Sequence, residues 1–395
     1  MASPLPGPRR PRPGDGGGAR TVAFTGRMDG QDGSRVTGSA GGAAARPLRI
    51  GVHPVFASLP PTTSVGRIWH QALTRLADRA RLVVADPTRS RWRWRPRVDV
   101  WLTEGHQGPV PVREPVVAHL HEATWADPQL RPLFEPAFLA QHEQPSADAA
   151  RAATRILTVS ASSKAQIVAA YDVPPDRVHV AHNGVDHATY RPGVPGAAEL
   201  IARAGGDPDA PYVLFVSSVH PRKNLALLRG AVGELAARGL EVRLVLVAGP
   251  SPDRADSGEL AAAAVAPIPG VAGPVVNLAG ASDLEVAALM GGAAVFCLPS
   301  AMEGFGMSVA EAMACGTPVV VSDRGSLPEV VGEAGLVVPP EVDAVADALA
   351  AVLGDPALAA ARGAAGRAYA ARYSWEAMTD VWWEALTRAA DGATT

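Results

Sequence analysis

The sequence predicts an α/β protein of two doubly wound domains, each a parallel sheet covered by helices. Short, continuously apolar segments, such as residues 212–216 and 293–298, alternate with stretches of helical spacing, as expected for strands buried on both faces. A connection rich in Pro, Gly and Ala, residues 187–211, separates two such series. With 395 residues, 47% of them hydrophobic, the chain can bury two cores.

The composition excludes several classes of protein. A formal net charge of -3 gives no general electrostatic reason to bind nucleic acid. The two cysteines, Cys297 in an apolar run and Cys315 at a predicted helix end, do not suit a disulfide framework or a cysteine metal site, which fits a reducing cytoplasm. No apolar run approaches the roughly 20 residues that span a bilayer, and the amino terminus lacks an apolar signal core.

Composition and apolar periodicity divide the chain into four segments. Residues 1–46 are rich in Gly, Pro and Arg and are predicted to be a disordered tail, an extension for which Met28 offers an alternative start. Residues 47–195 form the first predicted domain and residues 196–371 the second. Residues 372–395 hold a last amphipathic helix.

Two segments of the first domain, both before the strand that ends at His121, carry possible contacts to a ligand. After a strand at 48–52, Gly66 marks the first strand-to-helix loop, where an ordinary turn glycine is the alternative to a ligand contact. In residues 89–97, arginines alternate with two tryptophans, so an extended chain would present one basic and one aromatic face. That pattern suits a lipid-linked or anionic acceptor and a peripheral membrane contact. The simpler interpretation is a solvated connection whose tryptophans cover the core.

A histidine ends the next apolar strand, residues 116–122. His121 is the candidate site residue, because the carboxyl ends of parallel strands border the ligand crevice. His119 lies on the same strand face and is its rival. A core or capping histidine is the alternative for either one.

The second domain opens with a strand at 212–216, followed by Arg222 and Lys223 before a helix that begins near Leu225. Two cations at the amino end of a helix gain nothing from its dipole. An anionic ligand therefore explains them better than stability does, and a diphosphate is the natural candidate. Further along, residues 276–283 lead through Gly280 into another helix.

The stretch 300–321 carries most of the functional information. A buried strand at 293–298 is followed by a glycine-rich turn, a helix at 307–314 and another strand. Gly304 and Gly306 allow close backbone approach at a helix start, which favours phosphate or sugar hydroxyls. Glu303 and Glu311 lie about two helical turns apart and can face one crevice. The alternative is that Glu303 caps the helix and Glu311 is solvated.

Residues 300–339 resemble the donor-site signature of retaining glycosyltransferases of family four. The resemblance extends over about residues 47–390. It implies the GT-B fold, in which two Rossmann-like domains face one another across a cleft, with the last helix lying back across the first domain. It also implies transfer of a sugar from a nucleoside-diphosphate donor with retention at the anomeric carbon, no cofactor and no bound metal.

The resemblance also implies site residues. The catalytic positions are His121, Arg222, Lys223 and Glu303; the donor-binding positions are Gly66, Ser218, Arg222, Lys223, Gly280, Glu303, Gly304, Phe305, Gly306 and Glu311. Glu122 stands beside His121 where the family more often has Asp, and Ser218 stands where the family has an arginine. We assign no nucleophile, because the sequence identifies no well-placed carboxylate in the first domain.

The expected function is transfer of a hexose from GDP-mannose or a UDP-sugar to a glycan, a lipid-linked or a small-molecule acceptor. The expected location is the cytoplasm, at the inner face of the membrane for a lipid-linked acceptor. An inactive GT-B subunit that only binds a partner, motivated by Ser218, is one alternative. A GT-B epimerase is the other.

Overall fold

The computed structural model describes residues 46–61, 63–87, 97–251, 254 and 256–392. The predicted tail, apart from residue 46, lies outside these residues. The alternating Arg and Trp run, apart from residue 97, lies outside them as well.

The first domain is a six-stranded parallel sheet with helices on its faces. The strand order is β2-β1-β3-β4-β5-β6, and it reverses between β1 and β3. The strands are β1 (Arg49–Val52), β2 (Arg81–Val84), β3 (Val100–Glu104), β4 (Val116–His119), β5 (Arg155–Thr158) and β6 (Val178–Val180). The helices are α1 (Pro54–Ala57), α2 (Ser64–Ala77), α3 (Pro136–Ala152) and α4 (Ala161–Tyr171).

The second domain repeats this architecture with the order β12-β11-β10-β7-β8-β9. Its strands are β7 (Tyr212–Val216), β8 (Arg243–Val247), β9 (Val276–Asn277), β10 (Val295–Leu298), β11 (Val319–Ser322) and β12 (Leu336–Val338). Its helices are α5 (Ala197–Arg203), α6 (Leu225–Ala237), α7 (Ser257–Ala264), α8 (Asp283–Gly292), α9 (Met307–Ala314), α10 (Leu327–Val331), α11 (Val342–Gly354) and α12 (Pro356–Ala370). The predicted α/β fold of two doubly wound sheets is confirmed, and the order of the second sheet reverses between β7 and β10, where ligands bind in such sheets.

The helix starts follow local chemistry. The helix α9 begins after Gly306, whose φ of +92° lies in the left-handed region that favours glycine. The helix α8 begins with a capping box, in which Ser282 and Glu285 satisfy each other's backbone amides. These caps fix where the helix ends stand at the crevice.

The last helix, α13 (Trp375–Asp391), packs on the first domain. Trp382 is fully buried and meets Trp69 of α2 edge-on, with ring centroids 5.5 Å apart. The chain thus passes between the domains twice, and the two crossings touch, since Val185 N donates to Tyr373 O at 3.0 Å. Gly184 is needed beside this contact, because a Cβ there would lie 2.3 Å from the backbone nitrogen of Trp375.

A second contact joins the domains beyond the cleft. Glu329 of α10 accepts hydrogen bonds from the backbone N–H of Ala161, at 3.0 Å to each oxygen, and pairs with His182. A carboxylate is favourable at the amino end of α4, because the helix dipole and unpaired N–H groups are there.

Within the described part of the chain, no single helix has both the length and the apolar composition to cross a bilayer. The helical segments Val342–Gly354 and Pro356–Asp391 meet both criteria only as a pair, and that pair is bent by 102°.

Candidate active site

The carboxyl ends of both sheets border one cleft of about 720 Å³. Most of the predicted site residues line it, namely His121, Ser218, Arg222, Lys223, Glu303, Gly304, Phe305, Gly306 and Glu311. Gly66 and Gly280 are not among the lining residues. The two faces of the cleft come from different domains, so a group that fills the cleft contacts both.

A buried ion pair forms the floor of the second-domain face. Lys223, which follows β7, donates to both carboxylate oxygens of Glu303, at 2.6 and 2.7 Å. Ser300 Oγ donates to the same carboxylate at 2.7 Å. The sequence predicted an anionic ligand for the two cations; within the protein their partner is Glu303, which stands close to them because β7 and β10 are neighbours in the sheet.

Arg222 completes this group of charges. Its guanidinium donates to the carbonyl oxygen of Met302 at 2.8 Å and lies 3.4 Å from Glu303. Burial alone would raise the pKa of Glu303, but Lys223 and Arg222 hold it below its ordinary value. Burial and the neighbouring Arg222 lower the pKa of Lys223. The group therefore brings two cationic side chains to the carboxylate of Glu303, and the Glu122 carboxylate of the facing domain also acts on Lys223.

The turn 303–306 is held by its backbone. Ser326 Oγ donates to the carbonyl oxygens of Glu303 and Phe305, at 3.1 and 2.8 Å. The α9 helix starts at Gly306 without a side-chain cap, so the interpretation of Glu303 as a helix cap is wrong. At Gly304 a Cβ would lie 2.6 Å from Glu122 Oε2, so a larger residue there would have to displace the Glu122 carboxylate of the first domain.

Glu311 is buried and forms a contact between the two domains. The interpretation of Glu311 as a solvated helix residue is therefore also wrong. Glu311 is 7% exposed, and its Oε1 accepts a hydrogen bond from Arg67 of the first domain at 2.9 Å. Arg67 also donates to Asp283 of α8 at 2.8 Å. Burial raises the pKa of Glu311 to about 7, although Arg67 opposes this.

The first-domain face carries a carboxylate that the sequence argument missed. Glu104 ends β3 and is 6% exposed. Its Oε2 accepts from Trp69 Nε1 at 3.0 Å and from His119 Nδ1 at 3.3 Å, and it lies 3.5 Å from His121 Nε2. The statement that the first domain offers no placed carboxylate is thus corrected by Glu104, and Glu122 also lines the cleft. The signal was a polar residue directly after an apolar strand, as at His121.

The structure separates His121 from its rival. His119 is 1% exposed and packs against Trp69 and Trp382, whereas His121 lines the cleft. Burial opposes the charge of His121, yet the Glu104 carboxylate raises its pKa above the ordinary value. The charge partner of His121 is therefore Glu104, which comes from the neighbouring strand, and not only the adjacent Glu122.

His106, which the sequence argument also missed, completes the wall. Its Nε2 accepts from the backbone N–H of His121 at 3.3 Å, so its Nδ1 carries the proton that is shared with Ser146 Oγ at 2.8 Å. Burial lowers the pKa of His106 to about 3. A neutral imidazole thus supports the backbone beneath His121.

Among the described residues, one trio of potential metal-ligand side chains has donor atoms within 4.8 Å of one another: Glu104, His119 and His121. Their polar atoms already face each other at hydrogen-bond or ion-pair distance. We interpret the trio as a carboxylate–imidazole network.

The two glycines outside the lining have local explanations. A Cβ at Gly66 would lie 1.9 Å from Pro60 O, so the start of α2 requires glycine there, while its neighbours Ser64, Val65 and Arg67 line the cleft. Gly280, with φ +84°, lines a separate surface pocket of about 330 Å³ with Glu285.

Two family models match this chain. The model described as Glycosyltransferase Family 4 matches residues 36–189, and that described as Glycosyl transferases group 1 matches residues 210–355. Together they cover most of the chain, one match in each domain.

Curated relatives and solved structures agree with these matches. The MMP alpha-(1->4)-mannosyltransferase of Mycolicibacterium hassiacum is 34% identical over 58% of this chain and 53% of its own length. The D-inositol 3-phosphate glycosyltransferase of Mycobacterium avium is 36% identical over the same shares, 58% and 53%. The chain thus spans about half the length of these curated relatives.

Among solved structures, HepE from Anabaena in complex with UDP-glucose superposes with a TM-score of 0.68 at 19% identity, over 86% of this chain and 100% of its own. Sucrose-phosphate synthase from Thermosynechococcus elongatus gives a TM-score of 0.64 at 20% identity, over 88% and 100%. These likenesses concern the fold. With two facing parallel sheets, a glutamate pair at the switch point of the second and a family match in each domain, the chain belongs to glycosyltransferase family four and has the GT-B fold.

Proposed function

We propose that this protein is a retaining glycosyltransferase that moves a hexose from a nucleoside-diphosphate sugar to a hydroxyl group of an acceptor. The observation that carries the proposal is the group of Lys223, Arg222 and Glu303 at the β7/β10 switch point, opposite His121 across the cleft. Such a group can hold a diphosphate and a sugar at the same time.

In this mechanism Lys223 and Arg222 stabilise the diphosphate as negative charge develops on the leaving oxygen. Their present partner, Glu303, is then free to accept hydrogen bonds from sugar hydroxyls. Glu311 accepts hydrogen bonds from the ribose, in competition with Arg67. Both exchanges replace a contact within the protein by one with the donor.

The donor is GDP-mannose or a UDP-sugar, and the transfer needs no metal ion and no cofactor. The relatives named as a mannosyltransferase and an inositol-phosphate glycosyltransferase support a sugar or polyol acceptor. A lipid-linked acceptor, met at the inner face of the membrane, stays the second candidate. In either case the protein works in the cytoplasm.

The test is a thermal-shift screen of the purified full chain with GDP-mannose and UDP-sugars, followed by NMR of the reaction products. We expect one nucleotide to raise the unfolding temperature most, slow hydrolysis of its sugar, and an α-linked product from an α-linked donor. A β-linked product would contradict retention.

The alternatives give different outcomes in the same experiment. A catalytically inactive subunit, which Ser218 in place of an arginine brings to mind, would neither bind nor hydrolyse any donor. An epimerase would release an isomerised sugar or nucleotide sugar without any transfer.

A further inference from the structure

The cleft wall of the first domain holds a buried carboxylate that the proposed donor chemistry does not use. Glu104 comes from β3 and His121 from the loop after β4, and β3 and β4 pair so that Glu104 lies opposite His119. This register brings three aromatic N–H groups, of Trp69, His119 and His121, to one side of the carboxylate.

A carboxylate buried to this degree is costly unless its charge is compensated. Burial would raise the pKa of Glu104, but His121 first, and then His119, hold it well below its ordinary value. Trp69 and the deeply buried His119 supply neutral N–H donors, so the balancing positive charge falls on His121. Its imidazole is the one of the two histidines that reaches the cleft.

The groups around His121 favour the protonated state of its imidazole. His106 is parallel to it, with an interplanar angle of 13° and centroids 5.9 Å apart, and its Nε2 is occupied by the backbone N–H of His121. The charged or titratable groups around His121 are Glu104 from β3, His106 from the short helix after β3, and His119 and Glu122 from its own strand and loop.

We propose that Glu104 is a positioning residue, which holds the imidazole of His121 as a hydrogen-bond donor toward the transferred sugar. This rests on the proposed glycosyl transfer. Glu104 itself does not have to contact the donor, and its effect passes through the orientation and protonation of His121. A protonated imidazole at this place can donate a hydrogen bond to an oxygen of the transferred sugar. It does not act as a base that removes a proton from the acceptor hydroxyl.

The first test needs no substrate. Imidazole ¹⁵N resonances of His121 in the full-length protein should report a ring that stays protonated to higher pH than free histidine. In Glu104→Gln the titration midpoint should move to lower pH. Trp69→Phe is the matched control, because it removes a different N–H donor from the same oxygen and should leave that midpoint in place. An equal midpoint in wild type and Glu104→Gln would overturn the proposal.

Kinetics form the second test. We expect Glu104→Gln to lower turnover about 10- to 100-fold, because His121 loses the carboxylate that favours its charged form, with little change in donor KM. The alkaline limb of its pH profile should move to lower pH, and Glu104→Asp should restore part of the activity. Glu143→Gln, a carboxylate of the same domain paired with Arg131 at the surface, should behave as wild type.

Two further results are decisive. A uniform loss of folded protein with unchanged kinetics in the folded fraction would make Glu104 purely structural. One equivalent of zinc in the purified protein, lost together with activity on chelation, would make the trio a metal centre and overturn the positioning role. If no nucleotide sugar binds at all, the proposed function fails, while the NMR result still stands by itself.

Discussion

Arg67, in the first turn of α2, donates to Glu311 of the second domain at 2.9 Å, and with its other nitrogen to Asp283 at 2.8 Å. The carboxylate proposed to hold the ribose is therefore occupied by the facing domain. The nucleotide has to replace this contact, so donor binding and the arrangement of the domains are coupled through one guanidinium.

The pH dependence of nucleotide binding tests the role of Glu311. Burial raises its pKa to about 7, so the folded protein binds this proton more tightly than the unfolded chain does, and the unfolding free energy falls as pH rises from about 4.5 to 7. Ribose hydroxyls prefer the ionised form. We therefore expect affinity for the nucleoside diphosphate, measured by calorimetric titration, to increase between about pH 6 and 8.

The control is Glu311→Gln titrated with the same nucleotide, because ionisation of the phosphate contributes equally to both proteins. The variant should bind more weakly at pH 8 and lose the additional pH dependence. Equal affinity for wild type and variant at pH 8 would remove the ribose assignment.

Lys223→Ala should lower turnover by roughly 2 to 4 kcal/mol of transition-state stabilisation, the scale of one preorganised charge contact. It should also lower the unfolding temperature, because the buried carboxylate of Glu303 loses its closer cation and keeps only Arg222, at 3.4 Å, and the hydroxyl of Ser300. The double variant Lys223→Met/Glu303→Gln should recover stability without recovering turnover. Wild-type turnover at saturating donor in either protein would exclude the phosphate role.

Glu303→Gln should mainly depress turnover and weaken discrimination between donor sugars, since the sugar hydroxyls lose a charged acceptor. Steady-state kinetics with several donor sugars measure both effects. Nucleoside-diphosphate affinity should change less than in Glu311→Gln. If each substitution instead lowers only the unfolding temperature and leaves the kinetic constants alike, both glutamates are structural.

Activity should persist in excess chelator, because Lys223 and Arg222 can neutralise the diphosphate without a metal ion. The measurement is turnover with and without chelator at matched ionic strength. Complete loss, followed by recovery on adding magnesium or manganese, would contradict this prediction.

Trp382→Ala should lower the unfolding free energy by about 3–5 kcal/mol, the range for deleting a fully buried large aromatic side chain. Trp383→Ala is the matched control, since Trp383 is only partly buried in the same helix and should cost less. Denaturant unfolding of both variants measures the difference. Equal losses would mean that α13 is not anchored through Trp382.

Much of the fold could be predicted because apolar strands and capped helices are local signals. The helix α9 begins and ends where the glycines at 306 and 316 predict, and α6 begins at Leu225 as expected. The contacts between side chains of the site could not be predicted in this way. Glu104 and His121 meet only through the pairing of β3 with β4, and Arg67 and Glu311 are 244 positions apart. No local pattern encodes such pairs.

The two chain segments that connect the domains touch at Val185 and Tyr373. The joint between the domains therefore consists of two adjacent segments and not of a single linker. A single linker would let one half swivel freely around the other. Two adjacent segments restrict rotation of one domain against the other more than a single linker does. Bending at the joint is then the least restricted relative motion of the domains. Motion of one domain relative to the other is therefore expected mainly as bending at this joint, which would widen or narrow the cleft.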